Sequence, residues 1–460
     1  MKKYDRGNKK SVVDYAKKLK NKTLKEACGS DIINKNYSNK GSFGQILEEY
    51  YFEYKPNSVA EADFSEVGLE LKASPLKLLS NAEYRSKERL VLNIISYLEV
   101  AKENFETSSF WKKNANLLLI FYLYEQNKDV LDYEIKLIEE WNFNLSDLEI
   151  IKKDWEIIKR KIVEGKAHEL SEGDTFYLGA CTKGSKGGNP RPQPNNKILA
   201  KQRAYSLKQG YVNHIIATIA HDPDVVYGKL IKTEADLTEK TIAQIVIEKF
   251  KFFYGKTTIE IENYFHLNLN RNAKSYFSDL TNRILNIEIG KQIEEFRKAE
   301  IEIKTVRLKI NNLPKEDISF PTFKFVDLLE EEWDSSGLKE LLEKKYLFVF
   351  YQFVERHLVL RKVKFWNMPY KDIEEVKKVW DKTRAIVKEG NIVKEVKNNI
   401  RYTNFPNKKF SKVAHVRPHA KNALDSYPLL AEDKLTKVDR YTKQSFWLNN
   451  FYIRDEIYLK

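Results

Sequence analysis

The second half of this chain repeats the motifs of the first half in the same order. EEFRKAEIEIKTV (Glu294–Val306) resembles ADFSEVGLELKAS, which begins at Ala62, and AKSYFSDLTNRIL (Ala273–Leu285) resembles NKGSFGQILEEYY of the first half. Further on, the apolar run YLFVFYQF takes the place of LLLIFYLY, and SFWLNNFYI takes the place of AYSLKQGYV. A repeated order of motifs indicates a repeated structural unit. We therefore predict two tandem copies of one fold, residues 1–225 and 235–460.

The charge of the chain favours a nucleic-acid partner. The 460 residues carry a formal net charge of +14, and the isoelectric point is near 9.2. A basic balance of this size is the electrostatic signature of DNA or RNA binding. The alternative is a general enrichment in lysine, which charge alone does not distinguish from a binding surface.

Cysteine usage and hydropathy predict a cytoplasmic protein. Cys28 and Cys181 have no CxxC spacing and no histidine cluster near them, which argues against a zinc site and a disulfide framework. The basic N-terminus is followed by no apolar run, so we expect no signal peptide. The longest apolar runs are far shorter than the ~18 residues that span a bilayer. We expect no membrane partner.

The hydrophobic pattern predicts a mixed α/β fold. Val12–Ala27 and Leu148–Val163 have the periodicity of amphipathic helices. Leu90–Val100 and Leu117–Tyr124 are typical of short buried strands. Val67–Ala73 alternates apolar and polar residues, which predicts a half-buried strand. We expect each copy to have a mixed central sheet flanked by helices.

An acidic motif lies on the alternating strand. Residues two apart on a strand point to the same face, about 6.6 Å apart, so Glu70 and Lys72 stand side by side on its polar face. A turn can bring Asp63 alongside them. Two carboxylates can hold a hard cation, with the ammonium next to the attacking water and the scissile phosphate. The motif predicts metal-dependent phosphodiester cleavage; the alternative is a solvated Glu/Lys face on an edge strand.

Glu48 is a candidate third carboxylate. The apolar residues of FGQILEEYY fall on one face of a helix, and Glu48 lies off that stripe, where it can reach a polar site. We expect a helix and a loop to deliver it to the same metal ion as Asp63 and Glu70. The alternative is an exposed helical glutamate.

A basic loop follows the long helix of the first copy. Cys181–Lys197 (CTKGSKGGNPRPQPNNK) is rich in glycine, proline and lysine, so we expect no regular structure in it. Its positive charge, which includes Lys183 and Lys186, suits a DNA groove. The alternative is a solvated surface loop.

The chain resembles the MutH family, which comprises the mismatch-repair nicking endonuclease and its type II restriction relatives that cut at GATC. The matching segments span nearly all of the first half in family order: KGSFGQILE (Lys40–Glu48), DFSEVGLELK (Asp63–Lys72), ETSSFWKK (Glu106–Lys113), VEGKAHELSEGDTFYLGACTK (Val163–Lys183) and RAYSLKQGY (Arg203–Tyr211). The two-copy arrangement resembles the restriction branch rather than the single-domain repair enzyme.

This resemblance implies tandem PD-(D/E)xK nuclease domains and dependence on Mg²⁺. It also implies catalysis by Asp63, Glu70 and Lys72, assisted by Glu48, on double-stranded DNA that contains GATC. The first copy is then the catalytic nuclease domain. The matching motifs and the basic loop supply its expected DNA contacts: Lys40, Lys113, Lys183, Lys186, Arg203, Ser206 and Lys208.

The two copies differ where the chemistry takes place. Alignment puts Asn282 in the place of Glu48 and Glu295 in the place of Asp63, while the Glu-x-Lys pair is kept at Glu302–Lys304. An amide carries no charge to hold a cation, and glutamate is one methylene longer than aspartate in a site where placement matters. We expect the second copy to be a degenerate domain that binds DNA and acts as an allosteric effector.

The base-reading segments differ as well. The repair member of the family has Arg-Pro-Lys, whereas the first copy has Cys181–Lys183 (CTK) and the second has Arg417–His419 (RPH). Arginine can grip guanine bidentately and cysteine cannot, so the first copy must read bases through other groups. Where the repair enzyme has a tyrosine associated with adenine methylation, the copies have Ser206 and Trp447, so we expect weak or absent methylation discrimination. The expected DNA contacts of the second copy are Arg417, His419 and Trp447.

These observations predict a magnesium-dependent type II restriction endonuclease. A cognate methyltransferase of the same system is an expected partner, and pairing of two molecules on DNA is one route to cutting both strands. Two alternatives remain. One is a methylation-directed mismatch-repair nickase, and the other is a DNA-binding regulator without catalysis, in which both acidic clusters are vestigial.

Overall fold

The computed structural model describes residues 3–32, 42–54, 61–183, 189–221, 227–233, 235–397 and 400–460. The chain divides into two compact units. The first contains Met1–Thr241 and Lys291–Glu300, and the second contains Ile242–Gly290 and Ile301–Lys460. This division differs from the single boundary expected between residues 225 and 235, because a short segment of the second half belongs to the first unit.

The helices vary from single turns to long amphipathic rods. In chain order they are α1 Lys9–Lys17, α2 Leu24–Cys28, α3 Ser42–Ile46, α4 Tyr97–Val100, α5 Ser109–Asn114, α6 Leu145–Val163, α7 Gln209–Ile219, α8 Ala235–Thr238, α9 Ile242–Lys251, α10 Thr258–Tyr264, α11 Tyr276–Ile284, α12 Glu294–Ala299, α13 Phe325–Glu330, α14 Gly337–Leu342, α15 Tyr370–Glu389 and α16 Asn450–Tyr452. Within the described ranges, none is both long and apolar enough to cross a membrane.

The strands are mostly short. In chain order they are β1 Glu70–Leu78, β2 Tyr84–Ser86, β3 Leu90–Ile94, β4 Asn116–Leu123, β5 Ile135–Asn142, β6 Leu178–Thr182, β7 Arg191–Gln193, β8 Asn196–Ala200, β9 Arg203–Leu207, β10 Tyr227–Gly228, β11 Gln292–Ile293, β12 Glu302–Leu308, β13 Ile318–Phe323, β14 Tyr346–Val354, β15 His357–Trp366, β16 Glu395–Lys397, β17 Ile400–Tyr402, β18 Ala414–Pro418, β19 Ser426–Pro428, β20 Arg440–Thr442 and β21 Gln444–Leu448.

The first unit contains a mixed sheet in the strand order β2-β1-β4-β5. β1 and β4 run parallel, while β2 pairs with β1 and β5 with β4 in antiparallel fashion. A second, antiparallel sheet has the order β3-β9-β6, and β7 pairs with β8 in a hairpin. Helices and a mixed sheet in one unit confirm the predicted α/β class.

The second unit repeats most of this strand arrangement, without a counterpart of β2 in the corresponding sheet among the described residues. β12 and β14 run parallel and β15 continues the sheet antiparallel to β14, while a separate antiparallel sheet has the order β13-β21-β18. The registers of the antiparallel sheets also correspond. Cys181 of β6 pairs with Ala204 of β9, and at the same step Arg417 of β18 pairs with Ser445 of β21.

Each unit has its own apolar core. In the first, Leu117–Phe121 of β4 are fully buried, and side chains of α1, α3 and β1 pack in the same core. In the second, Tyr346–Tyr351 of β14 are buried, and α15 contributes an apolar face to that core. Continuous buried runs are typical of strands that are covered on both faces. Burial of each large apolar side chain contributes roughly 1.5–3 kcal/mol.

The single helix predicted over Val12–Ala27 is wrong, because the structure has two helices there. α1 ends at Lys17 and α2 begins at Leu24. Thr23 starts the second helix through a capping box, in which its side chain accepts from the Glu26 amide and the Glu26 side chain accepts from the Thr23 amide. Capping of this kind satisfies amides at a helix start, so it favours a new helix over continuation of the first.

Two further predicted elements are revised. The strand predicted over Leu90–Val100 ends at Ile94, and the helix α4 begins at Tyr97. The basic segment Cys181–Lys197, expected to lack regular structure, contains the strand β7 and the start of β8. Residues 184–188 of this segment lie outside the described residues.

The segment Lys291–Glu300 packs into the first unit through α12, which contacts α7. Gly210 of α7 leaves no room for a side chain, because an added Cβ would collide with the Arg297 carbonyl oxygen. The Lys298 ammonium lies 3.0 Å from both Asp147 carboxylate oxygens and 2.8 Å from Glu294. All three of these charged side chains are buried.

Candidate active site

A tight turn brings Asp63 to the start of β1. Phe64 and Leu69 form an antiparallel bridge around a single helical turn at Ser65–Val67. Gly68 completes the turn in the left-handed conformation, with φ 60° and ψ 40°. Glycine adopts this conformation at less cost than residues with a side chain. The chain reversal therefore places Asp63 beside the first residues of β1.

The structure brings Asp63, Glu70 and Lys72 together. The Leu71 amide donates a hydrogen bond to Asp63 Oδ2 (3.0 Å), and the Asp63 amide donates one to Glu70 Oε2 (3.1 Å). The Lys72 ammonium lies 2.5 Å from Glu70 Oε1. Glu70 and Lys72 are two apart on one strand and share a face, as the alternation predicts.

Glu70 is buried rather than solvated. Its side chain is 1% exposed, and the Lys113 ammonium from the end of α5 lies 3.5 Å from Glu70 Oε1. Lys113 also donates to the Glu61 carbonyl oxygen (3.2 Å). Burial at this level excludes the alternative of a solvated Glu/Lys face. It also places Lys113, predicted as a DNA contact, directly beside the acidic residues.

Glu48 belongs electrostatically to the same group. It lies on a π-helical turn, Leu47–Tyr51. Burial, together with the charge of Asp63, raises the pKa of Glu48 to about 7, although Lys72 and Lys113 act in the opposite direction. We call Glu48, Asp63, Glu70, Lys72 and Lys113 the Glu70 cluster.

The Glu70 cluster has more carboxyl groups than ammonium groups. Burial raises the pKa of Glu70 to about 7, with Asp63 acting in the same direction and Lys72 and Lys113 acting against it. Buried like charges disfavour each other's ionised forms, and a cation would relieve this. Among the described residues, no group of three or more His, Cys, Asp or Glu side chains has the arrangement of a metal site.

Lys40, Lys183 and Lys186 are also predicted DNA contacts of the first copy. Lys183 follows β6 and is exposed. Lys40 and Lys186 lie outside the residues that the structure describes.

Three other predicted DNA contacts of the first copy are buried. β9 is the central strand of its sheet, with β3 paired along one edge and β6 along the other. Arg203 donates to the Ala180 carbonyl oxygen (2.6 Å), and the Lys208 ammonium donates to the Thr175 carbonyl oxygen (2.7 Å). The Ser206 side chain is also buried. Arg203, Ser206 and Lys208 are therefore buried in this structure, and the hydrogen bonds of Arg203 and Lys208 are to backbone carbonyl oxygens.

The three predicted DNA contacts of the second copy lie together at the surface of the second unit. The Arg417 guanidinium stacks 3.8 Å from the centroid of the Trp447 ring. The His419 ring lies 4.9 Å from the same ring, and His419 Nδ1 is 3.0 Å from Ser445 Oγ. Arg417 remains 45% exposed. An exposed guanidinium held over an aromatic ring is restricted in its positions, which favours recognition of a planar group.

Sequence reasoning missed Asp317, which supports this group. Its buried carboxylate lies 3.3 Å from the Arg417 guanidinium and 2.6 Å from the Lys408 ammonium. It also accepts a hydrogen bond from the Asn450 amide (2.8 Å). Asp317 stands just before β13, and nothing in the sequence signals that this position faces β18. Strand pairing is what reveals it.

The acidic residues of the second copy are dispersed. Glu302 and Lys304 lie 2.9 Å apart on β12. Glu295, aligned with Asp63, instead lies in the first unit, where its buried carboxylate accepts hydrogen bonds from the amides of Leu230 (3.1 and 3.0 Å) and Ile231 (2.9 Å). The carboxylate that aligns with Asp63 therefore binds two backbone amides of the first unit.

The region around the Glu70 cluster is MutH-like. The family model described as "DNA mismatch repair enzyme MutH" matches residues 52–154, which include Asp63, Glu70, Lys72 and Lys113. The DNA mismatch repair protein MutH of Vibrio campbellii is 24% identical over 198 residues, covering 42% of this chain and 84% of the relative. MutH of Yersinia pestis (strain Pestoides F) is 25% identical over 132 residues, covering 29% and 56%. These matches indicate a nuclease that acts on DNA.

A second comparison extends over the whole chain. The type II restriction enzyme Sau3AI of Staphylococcus aureus is 39% identical over 488 aligned residues, which cover 98% of both chains. The chain belongs to the MutH-type family of type II restriction endonucleases, which confirms the resemblance drawn from its motifs.

Proposed function

We propose that this protein hydrolyses double-stranded DNA at GATC sites with Mg²⁺ through the Glu70 cluster, and that its second unit binds another GATC site as an effector. The observation that carries the proposal is the convergence of Asp63, Glu70 and Lys72 at the start of β1. The similarity to Sau3AI over 98% of both chains supports the restriction role over a repair role.

The residues present fit Mg²⁺. Mg²⁺ prefers oxygen ligands and commonly uses one or two protein carboxylates, with water and substrate phosphate completing its shell. Asp63 and Glu70 would supply those carboxylates, and Glu48 would add negative charge nearby. When bound, Mg²⁺ neutralises phosphate charge and lowers the pKa of a bound water.

Side chains and backbone amides of the protein would supply the other functions of the site: orienting the water, stabilising charge and fixing the acids. The Lys72 ammonium, held 2.5 Å from Glu70, can orient the attacking water and stabilise negative charge that develops on the phosphate oxygens. Lys113 adds a second positive charge at the same face. The hydrogen bonds that Asp63 and Glu70 accept from backbone amides fix these acids before substrate arrives, so little reorganisation is needed.

The effector role of the second unit is supported by what it keeps and what it lacks. It has most of the strand arrangement of the first unit and an exposed Arg417–Trp447 stack. Among the residues that the structure describes, Glu295 does not supply a second carboxylate beside Glu302 of the kind that Asp63 provides, because it binds the Leu230 and Ile231 amides. Binding without cleavage is the function that this combination favours.

A plasmid cleavage assay tests the proposal. Plasmids with one GATC site and with several sites are incubated with the protein and Mg²⁺, and the fragment ends are sequenced. We expect linear products that end at GATC, with 5′-phosphate and 3′-hydroxyl termini, and a higher rate per site on the multi-site plasmid. Nicked circles alone would support the nickase, and intact plasmid that is nevertheless bound would support the regulator. Equal rates per site would refute the effector role.

A further inference from the structure

The two parallel strand pairs place a second Glu-x-Lys motif in a position equivalent to the first. In the first unit Glu70 lies opposite Leu117 across the parallel pair, two residues before Lys72 opposite Leu119. In the second unit Glu302 lies opposite Tyr346 at the same step. The second motif has therefore kept its place in the fold, although its neighbours have changed.

The groups around Glu302 are mainly positive. The Lys304 ammonium lies 2.9 Å from Glu302 Oε2, and the Lys344 ammonium lies 3.4 Å from Glu302 Oε1. Lys304 also lies 5.5 Å from the centroid of the buried Tyr346 ring. We call Glu302, Lys304 and Lys344 the Glu302 cluster. It has two ammonium groups and one carboxylate, whereas the Glu70 cluster has three carboxyl groups and two ammonium groups.

The loss of acids has a structural cause. Alignment places Asn282, a neutral amide, where the first copy has Glu48. Glu295 lies in the segment that packs into the first unit, where three hydrogen bonds from the Leu230 and Ile231 amides hold its carboxylate. Moving that carboxylate elsewhere would leave two buried amides without an acceptor, which disfavours such a movement.

The electrostatic consequence is opposite in the two clusters. In the Glu70 cluster three carboxyl groups accompany two ammonium groups, so the charge of the acids is only partly balanced. At Glu302 burial acts to raise the pKa of the carboxyl, but the hydrogen bonds and charges of Lys304 and Lys344 outweigh it and lower the pKa below its usual value. The Glu302 cluster therefore has an excess of positive charge, whereas the Glu70 cluster does not.

The Glu302 cluster is also open to a macromolecule. The side chains of Glu302, Lys304 and Lys344 are 38%, 32% and 25% exposed. The corresponding values for Glu70 and Lys72 are 1% and 15%. Ammonium groups at this exposure can reach a phosphate while they keep contact with Glu302.

We propose that the Glu302 cluster binds a backbone phosphate of duplex DNA without a metal ion, with Lys304 and Lys344 supplying the positive charge that Mg²⁺ supplies in the first unit. This inference rests on the proposed function, in which the second unit binds DNA. The phosphate contact positions the duplex and carries no base specificity. The strand that carries the proposed catalytic residues in the first unit thus corresponds to the strand that anchors DNA in the second.

DNA binding in EDTA tests the site. The full-length protein is titrated with a fluorescent GATC duplex at several salt concentrations, and affinity is measured by anisotropy. Lys304→Gln and Lys344→Gln should each weaken binding by about 3- to 10-fold and reduce the slope of log K against log[salt] by about 0.9. Glu302→Gln should strengthen binding, because it removes the negative charge of the cluster. Lys378→Gln, at an exposed position of α15 and with the same change of charge, is the matched control.

Each outcome separates this inference from the proposed function. Equal affinity and salt slope for Lys304→Gln, Lys344→Gln and Lys378→Gln would overturn the phosphate site. A loss of affinity that appears only when Mg²⁺ is present would also overturn it, since the site would then be a metal site. Cleavage by the wild-type protein is followed in parallel. If the wild-type protein does not cleave at GATC, but Lys304→Gln still binds DNA more weakly than the wild type, the proposed function is rejected and the phosphate site is kept.

Discussion

The Asp63 amide donates a hydrogen bond to the Glu70 carboxylate (3.1 Å), so the two acidic residues of the cluster are joined through backbone. The Leu71 amide completes the link by donating to Asp63 Oδ2 (3.0 Å). These bonds depend on the turn at Gly68, which reverses the chain between them. The geometry of the acids is therefore set by one left-handed residue.

Gly68→Val should distort this geometry. The added Cβ meets no close neighbour, since the nearest heavy atom is Asn116 Nδ2 at 4.0 Å, so the cost lies in the backbone conformation. We expect a loss of about 1–2 kcal/mol in the free energy of unfolding and a clear fall in cleavage rate. Gly68→Asn is the control, because asparagine tolerates the left-handed region. Equal rates for the two variants would contradict this role of the turn.

Glu70→Gln and Lys72→Ala should each abolish most cleavage while they leave DNA binding intact. In the proposed mechanism both residues act on charge that develops at the scissile phosphate, so we expect rates to fall by about 10³-fold. Lys77→Ala, an exposed lysine on the same strand, is the matched control and should cleave normally. Single-turnover cleavage with separate binding titrations measures both quantities. Normal cleavage by either active-site variant would refute the assignment.

Stability without metal should depend on pH through Glu48 and Glu70. Their pKa values of about 7 in the fold lie above the ordinary 4.5. A raised pKa contributes stability that is fully present below pH 4.5 and is lost as pH rises through about 7. In EDTA we therefore expect Tm to fall between about pH 5 and 8, more so than for Glu70→Gln.

Added Mg²⁺ should reverse this loss. An ion that binds the ionised carboxylates stabilises the folded state by mass action. The increase in Tm caused by Mg²⁺ should therefore grow from pH 5 to pH 8, as measured by scanning fluorimetry. An increase that does not change with pH, or none at all, would count against Asp63 and Glu70 as ligands.

Ser206→Ala should be neutral or slightly stabilising. The Ser206 hydroxyl is buried without a hydrogen-bond partner, and its removal relieves an unsatisfied group. We expect a change of about 0–1 kcal/mol in the free energy of unfolding and unchanged DNA affinity. Weaker DNA binding by this variant would show that β9 becomes exposed on DNA, as the sequence-based assignment requires.

Lys298→Met should destabilise the first unit. Lys298 is 5% exposed and neutralises Asp147 and Glu294, so its loss leaves two buried carboxylates uncompensated. We expect a cost of about 3 kcal/mol in denaturant unfolding. Adding Asp147→Asn should recover part of it, because an amide can still accept the Tyr211 hydroxyl, which now donates to Asp147 (2.9 Å). A double variant no more stable than Lys298→Met would contradict the pairing.

The sequence predicted the helices and strands whose formation depends on a local hydrophobic pattern. Leu117–Tyr124 and Leu148–Val163 became β4 and α6 within a few residues, because continuous apolar runs and helical periodicity survive in most environments. The grouping of Asp63 with Glu70 and Lys72 followed from strand alternation and one turn. The break before α2 was not predicted, although the capping box that Thr23 and Glu26 form there is itself a local feature.

Features that depend on tertiary pairing were not predictable in this way. Arg203, Ser206 and Lys208 have the composition of a DNA-contacting segment, but all three are buried, on or directly after β9, which lies between β3 and β6. Glu295 aligns with Asp63 but lies in the first unit. There its neighbour Lys298 is paired with Glu294 and Asp147, and the Glu295 carboxylate accepts a hydrogen bond from the Leu230 amide. Residue type and spacing do not encode which surface a segment will meet.

The path of the chain at Lys291–Glu300 makes the two halves inseparable by a simple truncation. The backbone passes from the first unit to the second, returns for this segment, and leaves again. A premature stop after the first repeat would remove Lys298 from Asp147 and Glu295 from the Leu230 amide. A product that ends after the first repeat would then lack part of the interior of the first unit, so such a truncation should yield a poorly folded protein rather than a free first unit.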